Sequence, residues 1–420
     1  MSPTRRELLV AAAALGIGAP LYRAHPSTFS QMTGRHWQQD LAFLYAELQE
    51  NHRDLFHHTP EGRFRSAISD LHRRIPRLRP LEIVAGFQSI VALAGDGHTF
   101  LSAGDLYRSF PFETAWFDDG VRVVRTTPEM QHLLGMQIKS IDGRPIAEIS
   151  GRLDSVIPQA ENAWYLLSQR PERLRRAELL AALGVIDSPD HVRIQGDDIA
   201  GRPASFDVTP LPAGLPDGQL EIALGPTKPA TPDPSFGWAR LGNGEAVHLQ
   251  FRRYDDLARK AAALFDDLRA APPRVLLIDL RDNRGGNYTL PREHIIEPLQ
   301  NMPALNRKGR LHVLIGRHTF SAAMTNASDF RRETEALLVG EPTGARPNGY
   351  QELHTFRLPH SQIRVACSIR HYRFDSAGRD AIYPDLHAPP DWPSLMHKRD
   401  NAVEAALAYA QAAGHLAGPS

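Results

Sequence analysis

The apolar positions of the chain change their period twice, and each change marks a change of architecture. From Trp37 to about Ala94 they recur about every 3.6 residues: Leu41, Leu44, Leu48 and Leu55, then Phe64, Ile68 and Leu71, then Ile83, Phe87, Ile90 and Leu93. Three amphipathic helices joined by proline-bearing turns are expected, and they run into the glycine-punctuated stretch Ala94-Gly95-Asp96-Gly97-His98-Thr99. From Phe110 to about Leu153 the signal becomes β-branched, with Val121-Arg122-Val123-Val124 and then Met136 to Ile141 closing on an Asp142-Gly143 turn. Residues from Ala160 to Gly184 read as helical, and His191 to Val208 as a hairpin. Leu211 to Phe236 is dense in Pro, Gly and Asp and reads as a connection. Beyond it, strand (Ala246 to Phe251), helix (Leu257 to Leu268) and a continuous apolar strand (Val275 to Leu280) follow in order. Leu311 to Ile315, a helical segment after Ser321, and Ala336 to Gly340 repeat the unit. Apolar runs without polar alternation, separated by helices, predict a largely parallel sheet buried on both faces.

Composition narrows this picture. At 420 residues the chain is long enough for two or three domains. Apolar residues at 42% and charged residues at 23% describe a globular protein, and Lys+Arg and Asp+Glu balance at 48 each. No nucleic-acid partner is therefore expected from bulk charge. The single cysteine, Cys367, excludes an internal disulfide and a cysteine-based metal cluster, and its apolar surroundings suggest a buried, inert thiol. Residues 1–24 read as an export signal. Arg5-Arg6 precede an alanine- and glycine-rich apolar run from Leu8 to Ala19, similar to a twin-arginine signal, with Ala19 and Ala24 both suited to cleavage. The run is too short to span a bilayer, so no stable membrane span is expected and the location implied is periplasmic or secreted.

Two stretches carry candidate chemistry. In Leu311 to Met324, LHVLIGRHTFSAAM, Ser321 falls between a buried strand and the start of a helix, where free N–H groups and the dipole favour a developing anion. The same position suits an ordinary N-cap serine, and this stretch alone does not decide between them. The strand Val275 to Leu280 runs into Arg281-Asp282-Asn283-Arg284-Gly285-Gly286, whose glycine pair permits close backbone approach. No Gly-Lys-Ser/Thr follows, so a phosphate-binding loop is excluded.

Read together, LLIDLRDNRGG, HTFSAAM, VGEPTG (Val339 to Gly344) and Tyr383-Pro384-Asp385-Leu386 ahead of the terminal helix resemble, in that order, the S41 serine peptidase family. That family includes the tail-specific and tricorn-core proteases. The resemblance covers about residues 245–410. It implies an α/β catalytic domain with a crotonase-like (ClpP/crotonase) spiral over residues 237–415, preceded by an N-terminal helical module (30–105). Between them, residues 106–215 form a partly β region in which Leu134-Gly135 to Ile146 is similar to the core of a PDZ-type module.

The resemblance further implies that Ser321 is the nucleophile and that the N–H groups of Ala322 and of Gly285 or Gly286 form an oxyanion hole. The tail-specific branch carries a lysine base in the turn equivalent to Gly344-Ala345-Arg346-Pro347. The only cation here is Arg346, which does not lose its proton at workable pH. The tricorn-like branch takes a histidine from well upstream, which points to His98; a turn histidine closing a helix is the plainer reading, and His318 is the competing base. Asp375, with Asp380 beside it, is the expected orienting acid. Asp96 is expected to cap its own turn and Asp385 to be structural. The spacing of His52, His57 and His58 matches no familiar metal-ligand pattern, so no metal and no cofactor are expected. The activity implied is peptidase action on a polypeptide or peptide substrate. A non-catalytic hydrophobic-ligand or peptide binder on the same fold, and a small-substrate esterase or amidase, are the alternatives.

Overall fold

A computed structural model describes residues 26–212, 220–226, 231, 233–242 and 244–416. The export signal expected over residues 1–24 lies outside them. Among the described residues no helix is long and apolar enough to cross a membrane.

The three N-terminal helices are Gly34–Asn51, Glu61–Arg74 and Pro80–Ala92. The first starts where Thr33 accepts from the His36 N–H while His36 Nδ1 accepts in return from the Thr33 N–H, both at 3.3 Å. In the third, Pro80 opens the first turn, where its missing N–H costs nothing, and Glu82 accepts from the Arg79 N–H at 2.6 Å. Their apolar stripes meet in one core through Trp37, Leu41, Leu44, Leu48, Phe64, Ile83 and Phe87.

The middle region is an antiparallel sheet. Phe112–Phe117, Gly120–Thr126, Gln137–Ile141, Val192–Asp197 and Pro203–Val208 pair in chain order, and the helices Ile146–Asp154, Ala163–Leu174 and Ala177–Ala182 supply the rest of its core. The expected Asp142-Gly143 turn forms with both residues at positive φ, 47° and 76°, as a two-residue hairpin requires.

The largely parallel sheet has six strands in the order Leu386–His387, Leu337–Gly340, Leu311–Ile315, Val275–Asp279, Ala246–Phe251 and Phe236–Leu241. All neighbours run parallel except the last pair. Helices Leu257–Ala270 and Ala322–Glu333 cover one face, and Asn401–Ala412 covers the other. Burial on both faces is why these strands read as unbroken apolar runs.

A third sheet joins the ends of the chain. The hairpin Asn348–Arg357 with Arg364–Arg373 takes Phe100–Leu101 as its outer strand, pairing Phe100 with Ala366 and Leu101 with Val365. Leu358, Ile363, Val365 and Cys367 are buried in the core of the N-terminal helices. By sequence this hairpin falls within the 237–415 segment; in space it completes the helical module and holds the turn that carries His98.

Candidate active site

Ser321 sits where the fully buried strand Leu311–Ile315 gives way to the helix Ala322–Glu333. The approach is tied down on both sides. Thr319 Oγ1 accepts from the Gly316 N–H at 3.0 Å and donates to the Leu280 carbonyl at 2.9 Å, and the Phe320 N–H donates to the Asn283 carbonyl at 3.1 Å. Held in this way, Ser321 adopts φ 53°, ψ −126°. A side chain in such a backbone conformation costs on the order of 1–3 kcal/mol and persists only where the surroundings enforce it. The serine does not act as a cap, because its hydroxyl makes no bond to the first helical N–H groups. It lies instead 2.8 Å from His98 Nε2, a residue 223 positions away.

The glycine pair lies against the serine. A Cβ on Gly285 would stand 2.6 Å from Ser321 Cβ and 3.0 Å from the Ala322 nitrogen, and Gly285 holds φ 109°. Only glycine fits there. Its N–H is already used, donating to Asn283 Oδ1 at 2.9 Å. The N–H groups of Ala322 and of the exposed Gly286 meet no acceptor among the described residues. The Ala322 N–H opens the helix beside Ser321, and Gly286 follows the glycine that packs on that serine.

His98 is presented by the expected glycine turn, and the turn is built on Asp96. Asp96 Oδ1 accepts from the His98 N–H at 3.1 Å and from Ser368 Oγ at 2.5 Å, while Oδ2 meets His52 Nε2 at 2.9 Å. His52 Nδ1 accepts from the Asp54 N–H at 3.0 Å, so its proton is on Nε2 and is donated to Asp96. Burial alone would raise the Asp96 pKa; the hydrogen bonds from His52 and Ser368 and the nearby imidazoles outweigh it and hold the carboxyl below its usual value. The expected cap is thus present, with two partners from outside the turn.

The imidazole of His98 is 8% exposed and stacks on Phe320, with ring centroids 4.8 Å apart; Phe320 in turn stacks on Tyr165 at 5.3 Å. A Cβ on Gly97 would run within 3 Å of both aromatic rings, so glycine is what lets the turn lie flat against them. Burial is the main force on the ring and lowers its pKa to about 4, with Asp96 and the main chain of Tyr350 pushing back. It is therefore neutral at physiological pH. Its Nδ1 is buried and meets no side chain among the described residues; the main chain of Tyr350 is the hydrogen-bonding group that faces the ring.

The expected acids do not reach that nitrogen. Asp375 is taken by Arg379, which donates its N–H to Oδ2 and its Nη2 to Oδ1, both at 2.8 Å, and these contacts draw its pKa down to about 2. The arginine four residues on neutralises the carboxylate where it stands. Asp380 accepts from the Tyr383 hydroxyl at 2.8 Å, and Asp385 ties the Leu338 N–H and Arg331. His318 makes no bond to Ser321; burial first, then Arg284, lowers its pKa to about 4. Arg346 donates its N–H to Glu161 at 3.0 Å and its Nη1 to the Ala160 carbonyl at 2.7 Å. His57 bonds the Asp54 carbonyl, and His58 packs over Gly95. Among the described residues no three His, Cys, Asp or Glu side chains converge as metal ligands.

Three participants carry no local sequence signal. Ser368 lies in an apolar strand, His52 at the end of a helix, and Glu161 in a polar linker of the middle region. Only the fold brings them to the His98 turn.

No protein-family model matches the sequence, and no curated protein matches it. Solved structures do. Mature CPAF complexed with lactacystin aligns with 91% of this chain and 99% of its own, with a TM-score of 0.63 at 13% identity. Mature CPAF without it aligns over 91% and 98%, with a TM-score of 0.62 at 14% identity. A structure described as a putative S41 protease from Bacteroides fragilis aligns over 89% of this chain at 12% identity, with a TM-score of 0.36. At such identity the likeness is one of fold: this chain has the mixed α/β, several-sheet architecture of mature CPAF along nearly its whole length.

Proposed function

We propose that this chain is a serine peptidase of the S41 type that works through an acyl-enzyme on Ser321, with His98 as the general base. The observation that carries this reading is the 2.8 Å approach of a neutral, buried imidazole to the hydroxyl of a backbone-strained serine at a helix N-terminus.

In this mechanism Ser321 Oγ attacks the scissile carbonyl carbon as its proton passes to His98 Nε2. The carbonyl oxygen becomes an oxyanion received by the N–H groups of Ala322 and Gly286. One such donor lowers the barrier by about 3 kcal/mol. Collapse breaks the C–N bond, and the proton on Nε2 leaves with the amine. Water then attacks the ester, giving its proton to His98, and the acid departs as Oγ recovers its own. Gly285 provides the room for these steps, its own N–H being bound to Asn283. In place of a carboxylate on Nδ1, the main chain of Tyr350 and the Phe320 stack hold the ring, and the Asp96 charge favours the imidazolium while it lasts.

The crotonase-like spiral, the PDZ-like character of residues 106–215 and delivery to the periplasm or the exterior by the twin-arginine-like segment belong to the same reading. The overall likeness to mature CPAF supports the mixed α/β, several-sheet fold of that reading.

The test is intact-mass detection of a covalent adduct after fluorophosphonate treatment, with Ser321→Ala as control and lactacystin as a second probe. Labelling that disappears in the control is the expected result. Well-folded wild-type protein that does not label would favour the non-catalytic binder, and labelling with turnover of esters but not of peptides would favour the esterase.

A further inference from the structure

The tripeptide Ala160-Glu161-Asn162 lies between the two loops that compose the site and bonds to both of them. The Ala160 N–H donates to the Gly95 carbonyl at 2.8 Å, and its carbonyl accepts from Arg346 Nη1 at 2.7 Å. Glu161 Oε1 accepts from the Gly97 N–H at 2.9 Å, and Oε2 accepts from the Arg346 N–H at 3.0 Å. Asn162 Nδ2 donates to the Thr343 carbonyl at 3.1 Å and to the Asp380 carbonyl at 2.8 Å, while its Oδ1 caps the helix that starts at Ala163. That helix places Tyr165 under Phe320. A linker of the middle region thus staples the histidine turn to the Gly344-Ala345-Arg346 turn of the largely parallel sheet.

We propose that Glu161 is a positioning residue of this site, whose ionised carboxylate holds the Gly97-His98 turn in register with Ser321 and whose protonation releases it. The inference rests on the Ser321–His98 reading and adds the group that sets when the pair is aligned. The chemistry follows from the partners. Both of the oxygens accept from main-chain N–H groups, and a carboxylate can satisfy two such donors where a neutral carboxyl must spend one oxygen on its own proton. Gly97 is the residue before the base, so slack there moves the imidazole directly, and a misplacement of about 1 Å is enough to cost on the order of a hundredfold in rate.

The charged and titratable groups around Glu161 are Asp96 and His98 on the turn, Arg346 on the facing turn and Tyr165 on the following helix. Glu161 is 7% exposed, and burial is the largest influence on it; with the Asp96 charge it outweighs the two hydrogen bonds and the Arg346 guanidinium and sets the pKa at about 7. That lies well above the value of about 4 for His98, so the two limbs of a pH profile are separable.

The experiment measures the rate of fluorophosphonate labelling from about pH 5 to about pH 9 for the wild type, Glu161→Gln and Arg346→Met, with circular dichroism and Tm on each. The expected result is a wild-type rate that falls on acidification with an apparent midpoint near neutrality. Glu161→Gln, with one acceptor left for two donors, should be about tenfold slower on the alkaline side and lack that limb. Arg346→Met should move the limb to higher pH. A wild-type rate flat down to the His98 limb, or a Glu161→Gln profile that keeps the neutral limb, overturns the proposal. If Glu161→Gln does not fold, the wild-type and Arg346→Met profiles decide, and an unmoved limb overturns it. Absence of labelling in the wild type at every pH overturns the Ser321–His98 reading itself, an outcome distinct from a labelled enzyme without the neutral limb.

Discussion

The sheet that carries Ser321 and the sheet that carries His98 are assembled by opposite rules. The first is made of neighbours in sequence: Ala246–Phe251, Val275–Asp279, Leu311–Ile315 and Leu337–Gly340 pair in chain order, each buried by the helices between them. The second is made of strangers, a two-residue strand at Phe100–Leu101 laid against Arg364–Arg373. Ser321 is thus positioned by local architecture and His98 by a long-range closure. On the local side the Ser321 backbone is strained. The buried polar network of Asp96, His52 and Ser368 resides on the long-range side.

The largest effects should come from the two reacting groups. Ser321→Ala removes the nucleophile, and turnover should fall to background, by about a millionfold, with the fold unchanged by circular dichroism. His98→Ala should reduce kcat by about a thousandfold or more, whereas His318→Ala should leave kcat within a few-fold. If His318→Ala is the more damaging, the local side supplies both groups and the contrast between the sheets fails.

Gly285→Ala tests the local side more finely. The new Cβ would meet Ser321 Cβ at 2.6 Å in a residue held at φ 109°. A loss of about a hundredfold in kcat and of about 1–3 kcal/mol in stability is expected from steady-state kinetics and urea denaturation. Asp96→Asn tests the long-range side. It places an amide where three donors converge, and unfolding free energy should fall by about 3 kcal/mol while Ser321 keeps its place.

The most diffuse effect is spread over the molecule. His98, His312 and His318 each have a pKa lowered to about 4, chiefly by burial. Unfolded imidazoles bind protons below about pH 6.5, so between that value and about 4 the unfolded state binds more protons and stability falls as pH falls. Glu161, raised to about 7 by burial, acts in the opposite sense and loses its contribution as pH rises from its unfolded value. Three groups against one give a net loss of a few kcal/mol toward acid, readable as a declining urea midpoint.

Much of this was legible in the order of residues, and the division follows the same contrast. The parallel strands announce themselves because burial on both faces leaves no polar alternation. Ser321 stands out because a strand, a stop and a small-residue helix start are adjacent. His98 stands out because two glycines, Gly95 and Gly97, lead into it. What the sequence does not carry is pairing at a distance. Asp375 looked available only because nothing in its own stretch indicates that Arg379 has folded back onto it. Glu161 and Ser368 sit in segments whose local chemistry is ordinary, and their roles arise from backbone donors on other elements. The Ser321 N-cap alternative was open in sequence because caps and nucleophiles want the same helix end; the backbone angle and the direction of the hydroxyl separate them.

The pairing of Phe100–Leu101 with Arg364–Arg373 also fixes an order of events in biosynthesis. During synthesis the ribosome delivers the histidine turn early, yet the strand that must receive it emerges after the nucleophile, with only the terminal helix and its approach still to come. A growing chain therefore carries His98 and Ser321 before the strand that holds the histidine turn has emerged. The 2.8 Å approach of His98 to Ser321 is thus a late contact, one that waits for the last hairpin to dock.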